Sequence, residues 1–116
     1  FRTAADNTCV SPPANVSFYL HRKGDNLSGE GDYANYRFWS RPMVSELKAG
    51  SAVFIVPLLA TQWINVWGQN NGTGFNQTIA NLQAIGMTFG GGCFAGHGVF
   101  VTGGTARFNA KSYLIK

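Results

Sequence analysis

The sequence predicts an all-β fold, a single-domain antiparallel β-sandwich of the jelly-roll type with one short helix. Three observations carry this expectation. Fifteen glycines and an aromatic share of 14% favour strands joined by tight turns over helices. Several short runs alternate apolar and polar residues, the period of a strand with one buried face. These runs recur at roughly ten-residue spacing with Gly-rich turns between them, as in sandwiches and jelly rolls. A chain of 116 residues is one domain, large enough to bury a core without metals or dense crosslinking.

Each element follows from its own residues. Residues 1–15 are polar and carry Pro12-Pro13, which fits an extended lead-in, and the sandwich domain spans residues 16–116. In NVSFYLHRK, Val16, Phe18 and Leu20 fall on one side and Ser17, Tyr19 and His21 on the other, a half-buried strand. GDNLSGEGD is turn chemistry. YANYRFWS alternates again, with Tyr36 and Phe38 opposite Asn35, Arg37 and Trp39, until Pro42 stops it. A turn at Lys48-Ala49-Gly50 leads to a strand over Ala52–Leu58. Trp63 and Trp67, four residues apart, fit one helical turn or a packed loop, with core positions preferred over ligand platforms. Phe75, Ile79 and Leu82 have helical spacing and predict the short helix. AIGMTF, HGVFVTG and TARFNAKSYLIK close the chain as strands, the first two joined by the turn GGGCFAG.

Charge narrows the partners. The net charge is +4, but the nine basic residues are scattered and only Arg22-Lys23 are adjacent. Nucleic-acid binding needs a concentrated basic face, so it is not expected; an acidic glycan or cell-wall polymer is compatible with the balance. No apolar run reaches membrane-spanning length. Charged residues make up only 12%, about half the usual share, so Asn, Ser, Thr, Gly and Gln must cover the surface. That habit is common in secreted proteins, and a secreted, processed chain is expected.

In an extracellular chain the two cysteines, Cys9 and Cys93, read most simply as one disulfide tethering the lead-in; two unrelated buried thiols are the alternative. The sequons at Asn15, Asn26, Asn71 and Asn76 are candidate glycosylation sites in a eukaryotic secreted protein.

Local motifs offer little chemistry. In FGGGCFAGHGVFV the glycines lead into the alternating run HGVFV rather than a helix, and the stretch contains no lysine, so it is not a phosphate loop. Cys93 and His97 are flanked by glycines that would hold neither a nucleophile nor its base in place, and the Cys/His set lacks zinc spacing. The stretch reads as a tight turn. Glu30 and Asp32 on one Gly-rich loop are poorly preorganised for glycoside hydrolysis. Asp25, Glu30 and Asp32, with Asn26, are hard oxygen donors and weak candidates for a structural calcium, without EF-hand spacing. No other cofactor or metal is expected.

The more informative set is dispersed. With the apolar alternates turned inward, the opposite face collects Tyr19, His21, Asn35, Arg37, Trp39, Arg107 and Asn109, with Lys111 beyond them. Aromatic rings stack on the C–H faces of sugars, and planar amides and guanidinium groups bind their hydroxyls. The competing reading makes these ordinary solvated strand positions.

The chain also resembles the carbohydrate-binding-module and galactose-binding-like β-sandwiches. The residues that carry the resemblance are Val56-Pro57-Leu58, the Trp63–Gly68 loop, Ile85-Gly86 with Phe89, and Phe108 with Tyr113 and Ile115. It spans residues 16–116, implies a jelly roll, favours glycan binding and supplies no catalytic residues. The resulting expectation is a non-catalytic, lectin-like protein. Trp39 and Tyr19 would stack on the sugar, Arg37, Asn35 and Asn109 would hydrogen-bond it, and His21 and Arg107 would flank it. A small jelly-roll polysaccharide hydrolase or lyase using the same face is the alternative. There Arg37 or Arg107 would neutralise a uronate while Tyr19 or His21 moves protons. A structural or defence protein working through its protein surface is the third.

Overall fold

The computed structural model of the chain describes residues 2–3, 15–41, 45–46, 48–90, 99–100 and 107–110. In chain order the strands and helix are β1 (Arg2–Thr3), β2 (Asn15–Arg22), β3 (Arg37–Ser40), β4 (Ser45–Glu46), β5 (Trp63–Ile64), α1 (Gly72–Ala80), β6 (Leu82–Gly90) and β7 (Val99–Phe100). Most of them are strands of one antiparallel sheet, laid out as β6-β2-β3-β5. β4 continues the line of β3 along the same edge of β2, pairing Val16 with Ser45. β1 and β7 form a separate two-stranded ladder.

The alternation expected of NVSFYLHRK is what β2 realises. Val16 and Leu20 are buried, and Leu20 packs with Phe38 of β3 and Trp63 of β5 on one sheet face. α1 lies across that face. Asn71 caps it by accepting a hydrogen bond from Gly74 N at 2.9 Å. The helix delivers Phe75 edge-on to Phe38, with centroids 5.5 Å apart and planes at 81°. Phe75 and Trp63 centroids are 5.8 Å apart, and Trp63 Nε1 donates to Pro57 O at 2.9 Å, so the indole is buried with its donor satisfied.

Several expectations shift. The helix starts at its Asn71 cap and ends before Leu82, which already belongs to β6. Residues 33–35 do not extend β3; a 3₁₀ helix occupies Gly31–Asn35 instead. Ala52–Leu58 is not a strand. Among the described residues it has no ladder partner, and Val53 and Ile55 stay exposed while Val56 reaches the core. Residues 107–110 of the expected last strand also lie outside any ladder, although Phe108 packs edge-on against Phe89 of β6 with centroids 4.9 Å apart. Cys9, Cys93, His97 and Lys111 fall outside the described residues.

Candidate functional site

The face of the sheet turned away from α1 carries the candidate site. Directly opposed residues of antiparallel strands share a face, and the register sets Tyr19 against Trp39 and His21 against Arg37. The four side chains therefore stand together, as the alternation predicted. The Tyr19 ring centroid is 5.3 Å from that of Trp39 and 5.8 Å from that of His21. Trp39 is half-buried, and its Nε1 is buried with no hydrogen-bond partner among the described residues.

Asp25 organises this cluster. The turn after β2 reverses at Gly24, whose φ of +84° is the left-handed conformation glycine adopts without strain. The reversal brings Asp25 back beneath the strand it follows. Its side chain is only 1% exposed. Oδ2 lies 2.8 Å from Arg37 Nε and 3.1 Å from His21 Nε2, and Oδ1 accepts from Leu27 N at 2.9 Å. The Arg37 contact is a charge contact without hydrogen-bond alignment, and Arg37 Nη2 is buried without an acceptor among the described residues. Asp25 was legible in the sequence only as an oxygen donor of a Gly-rich loop; a carboxylate four residues after a strand histidine, across Arg22-Lys23-Gly24, was the available signal.

Tyr19 sits partly in this enclosure. Burial pushes its hydroxyl above the usual 10.0; nearby Arg37 pulls it back and Asp25 adds to the rise. The neutral phenol is thus the form the fold favours. As pH climbs past about 10 the unfolded chain ionises this tyrosine first, so its contribution to stability is intact below that pH and is lost above it. Tyr19→Phe is expected to soften the alkaline decline in stability, read as the urea midpoint at neutral and alkaline pH. An identical decline in both proteins would refute this account.

The other expected site residues lie elsewhere. Asn35, in the 3₁₀ helix, turns to the helix side. Its Oδ1 accepts from Asn65 Nδ2 at 2.8 Å, its carbonyl accepts from Thr78 Oγ1 at 2.7 Å, and it packs so closely on Gly74 that a Cβ there would come within 2.7 Å of its own. It joins 3₁₀ helix, loop and α1 rather than facing the cluster. Arg107 and Asn109 are exposed on residues 107–110 and are not on the ladder. The weak calcium set is dispersed as well: Asp25 is engaged as above, Asn26 Oδ1 accepts from Ser28 N, and Glu30 and Asp32 are exposed. Among the described residues no group of three His, Cys, Asp or Glu is placed to hold a metal ion. Of the sequon asparagines, Asn26 and Asn76 are exposed, while Asn71 is the helix cap.

Sequence reasoning missed the far side of the face. Ile64 of β5 stands directly across from Trp39. With Arg41, Thr61, Gly68 and Asn70 it lines an open cavity of about 340 Å³. Trp67, next to Gly68, is 66% exposed, the opposite of Trp63. Among the described residues no helix is long and apolar enough to cross a membrane. Compared with known protein families, curated proteins and solved structures, the chain matches none.

Proposed function

We propose that the protein is a secreted, non-catalytic glycan-binding module that uses the sheet face away from α1. The observation that carries this reading is the register that sets Tyr19, His21, Arg37 and Trp39 side by side on that face, with a cavity at its β5 edge. Aromatic surface beside a guanidinium, an imidazole and a neutral phenol is the mixture that sugar recognition uses. Tyr19 brings to that face a neutral phenol, a hydrogen-bond donor for a sugar hydroxyl.

We read the sheet as one layer of a jelly-roll sandwich. Phe89 stands across from Val16, on the face that α1 also covers, and Phe108 packs on it from outside the ladder. The resemblance to carbohydrate-binding and galactose-binding-like sandwiches points the same way.

Turnover is the second reading, and the Asp25–His21 contact favours it. Asp25 fixes Nε2 of the imidazole, an arrangement a hydrolase or lyase would use to orient a base.

A glycan array followed by titration tests both. Tyr19→Ala and Trp39→Ala are expected to weaken binding roughly ten-fold, the loss of about 1–1.5 kcal/mol of aromatic contact, with no product released from any bound polysaccharide. Silence of the wild-type protein across the array would sink the binding reading, and product release that His21→Gln abolishes would replace it with the enzymatic one.

A further inference from the structure

The geometry points to a subsite for an acidic sugar ring, a uronate, in the cavity lined by Arg41, Thr61, Ile64, Gly68 and Asn70, with the exposed indole of Trp67, the chain neighbour of Gly68, as a separate stacking surface on the same turn. This rests on the glycan-binding reading above and extends the site beyond the Tyr19–Trp39 cluster.

The turn that presents Trp67 is rigidly built. Buried Asn65 accepts through Oδ1 from Trp67 N at 2.9 Å and from Gln69 N at 3.0 Å. Its amide donates to Asn35 Oδ1, and its backbone N donates to Gln69 O at 2.9 Å. Val66 N donates to Ala34 O at 3.2 Å, tying the turn to the 3₁₀ helix. Gly68 takes a φ of +74°, which closes the turn without strain.

On this frame Trp67 is held by its edge. Its Nε1 donates to Gly29 O at 2.9 Å, yet 66% of the residue faces water. A lone exposed apolar residue is ordinary; an indole whose only donor is already engaged, and whose orientation is thereby set, is a preorganised surface for the apolar face of a sugar ring.

The cavity supplies the complementary groups. Its volume, about 340 Å³, lies near the lower end of the roughly 300–1,000 Å³ of small-molecule sites, which suits one sugar ring. Ile64 gives it an apolar wall that continues the Trp39 surface. Asn70 is anchored through Nδ2 on the carbonyls of Trp63, at 2.7 Å, and Thr61, at 3.4 Å, so its Oδ1 is positioned to accept from a hydroxyl. Arg41 is the one charged residue among the described lining, and no carboxylate pairs with it among the described residues. A planar guanidinium with no carboxylate beside it among the described residues selects a carboxylate-bearing ring over a neutral one.

Calorimetric titration with trigalacturonate and with a neutral galactose trisaccharide tests the assignment. The acidic trisaccharide is expected to bind more tightly. Arg41→Gln should lower its affinity about ten-fold while leaving the neutral one unchanged, the loss of one charge-assisted contact. Trp67→Ala should weaken both about ten-fold, and Trp67→Phe, which keeps a ring, should recover most of that loss. Melting curves check that each variant is folded. Glycan binding on the array without binding of trigalacturonate, or wild-type affinity in both Arg41→Gln and Trp67→Ala, would overturn this subsite and leave the glycan reading standing. No glycan binding at all would remove the reading beneath it.

Discussion

Asp25→Ala is expected to cost about 3 kcal/mol of folding stability, the low end of the loss seen when one partner of a buried ion pair is deleted. The reason lies in the groups that Asp25 leaves behind. Its carboxylate is nearly inaccessible and faces Arg37 Nε at 2.8 Å and His21 Nε2 at 3.1 Å. Arg37 is only 17% exposed and has a second nitrogen without an acceptor among the described residues, so water cannot fully replace the lost charge. The same substitution removes the acceptor for Leu27 N, which holds the turn behind Gly24. Asp25→Asn separates the two effects. It keeps an oxygen for Leu27 N and the shape of the side chain but not the charge, so it should lose less stability while weakening glycan binding as Asp25→Ala does. Urea unfolding and titration of the same two variants read both. Stability within about 0.5 kcal/mol of wild type for both variants, the range of an ordinary surface change, would show that the Asp25 contacts carry no weight.

Where the chain is locally consistent, the sequence was readable. β2 shows its apolar alternation because Val16 and Leu20 are buried on one side, Leu20 against Phe38, Trp63 and Phe75, and period-two patterning reports that side, although Ser17 on the opposite face is buried as well. The pairing of Tyr19, His21, Arg37 and Trp39 on one face came from that alternation once β2 and β3 were neighbours. Asn35 was misplaced because alternation was extended across residues whose backbone turns into a 3₁₀ helix. Its true partners, Asn65 and Thr78, lie 30 and 43 residues further along the chain. Trp63 and Trp67 could not be told apart by spacing. They differ in which side of a short strand and turn each leaves, and in where the indole N–H finds an acceptor: Pro57 O in the core, Gly29 O at the surface. The cavity has the same origin. Arg41, Thr61, Ile64 and Asn70 are ordinary residues in sequence and become a site only when β5 pairs with β3.

Phe38→Ala is expected to be the most damaging single change, with a loss of about 3–5 kcal/mol from a domain whose whole stability is about 5–15 kcal/mol. Phe38 is fully buried, pairs with Leu20 across the β2–β3 ladder, receives the edge of Phe75 and shares one core cluster with Trp63, so its removal opens a cavity that touches sheet and helix at once. Strand geometry carries the consequence to the site. Phe38 lies between Arg37 and Trp39, whose side chains emerge on the other face, and its packing fixes the height of β3 relative to β2 and β5. Phe38→Leu, which fills most of the volume, should cost less than about 1.5 kcal/mol and leave glycan affinity within a few-fold of wild type. Phe38→Ala, measured well below its own melting temperature, should lose affinity even while folded, because Tyr19 and Trp39 no longer keep their spacing. Denaturant unfolding gives the first quantity and titration the second. Full affinity in a folded Phe38→Ala protein would mean that the core does not set the geometry of the face, and that the Tyr19–Trp39 cluster is not what the ligand touches.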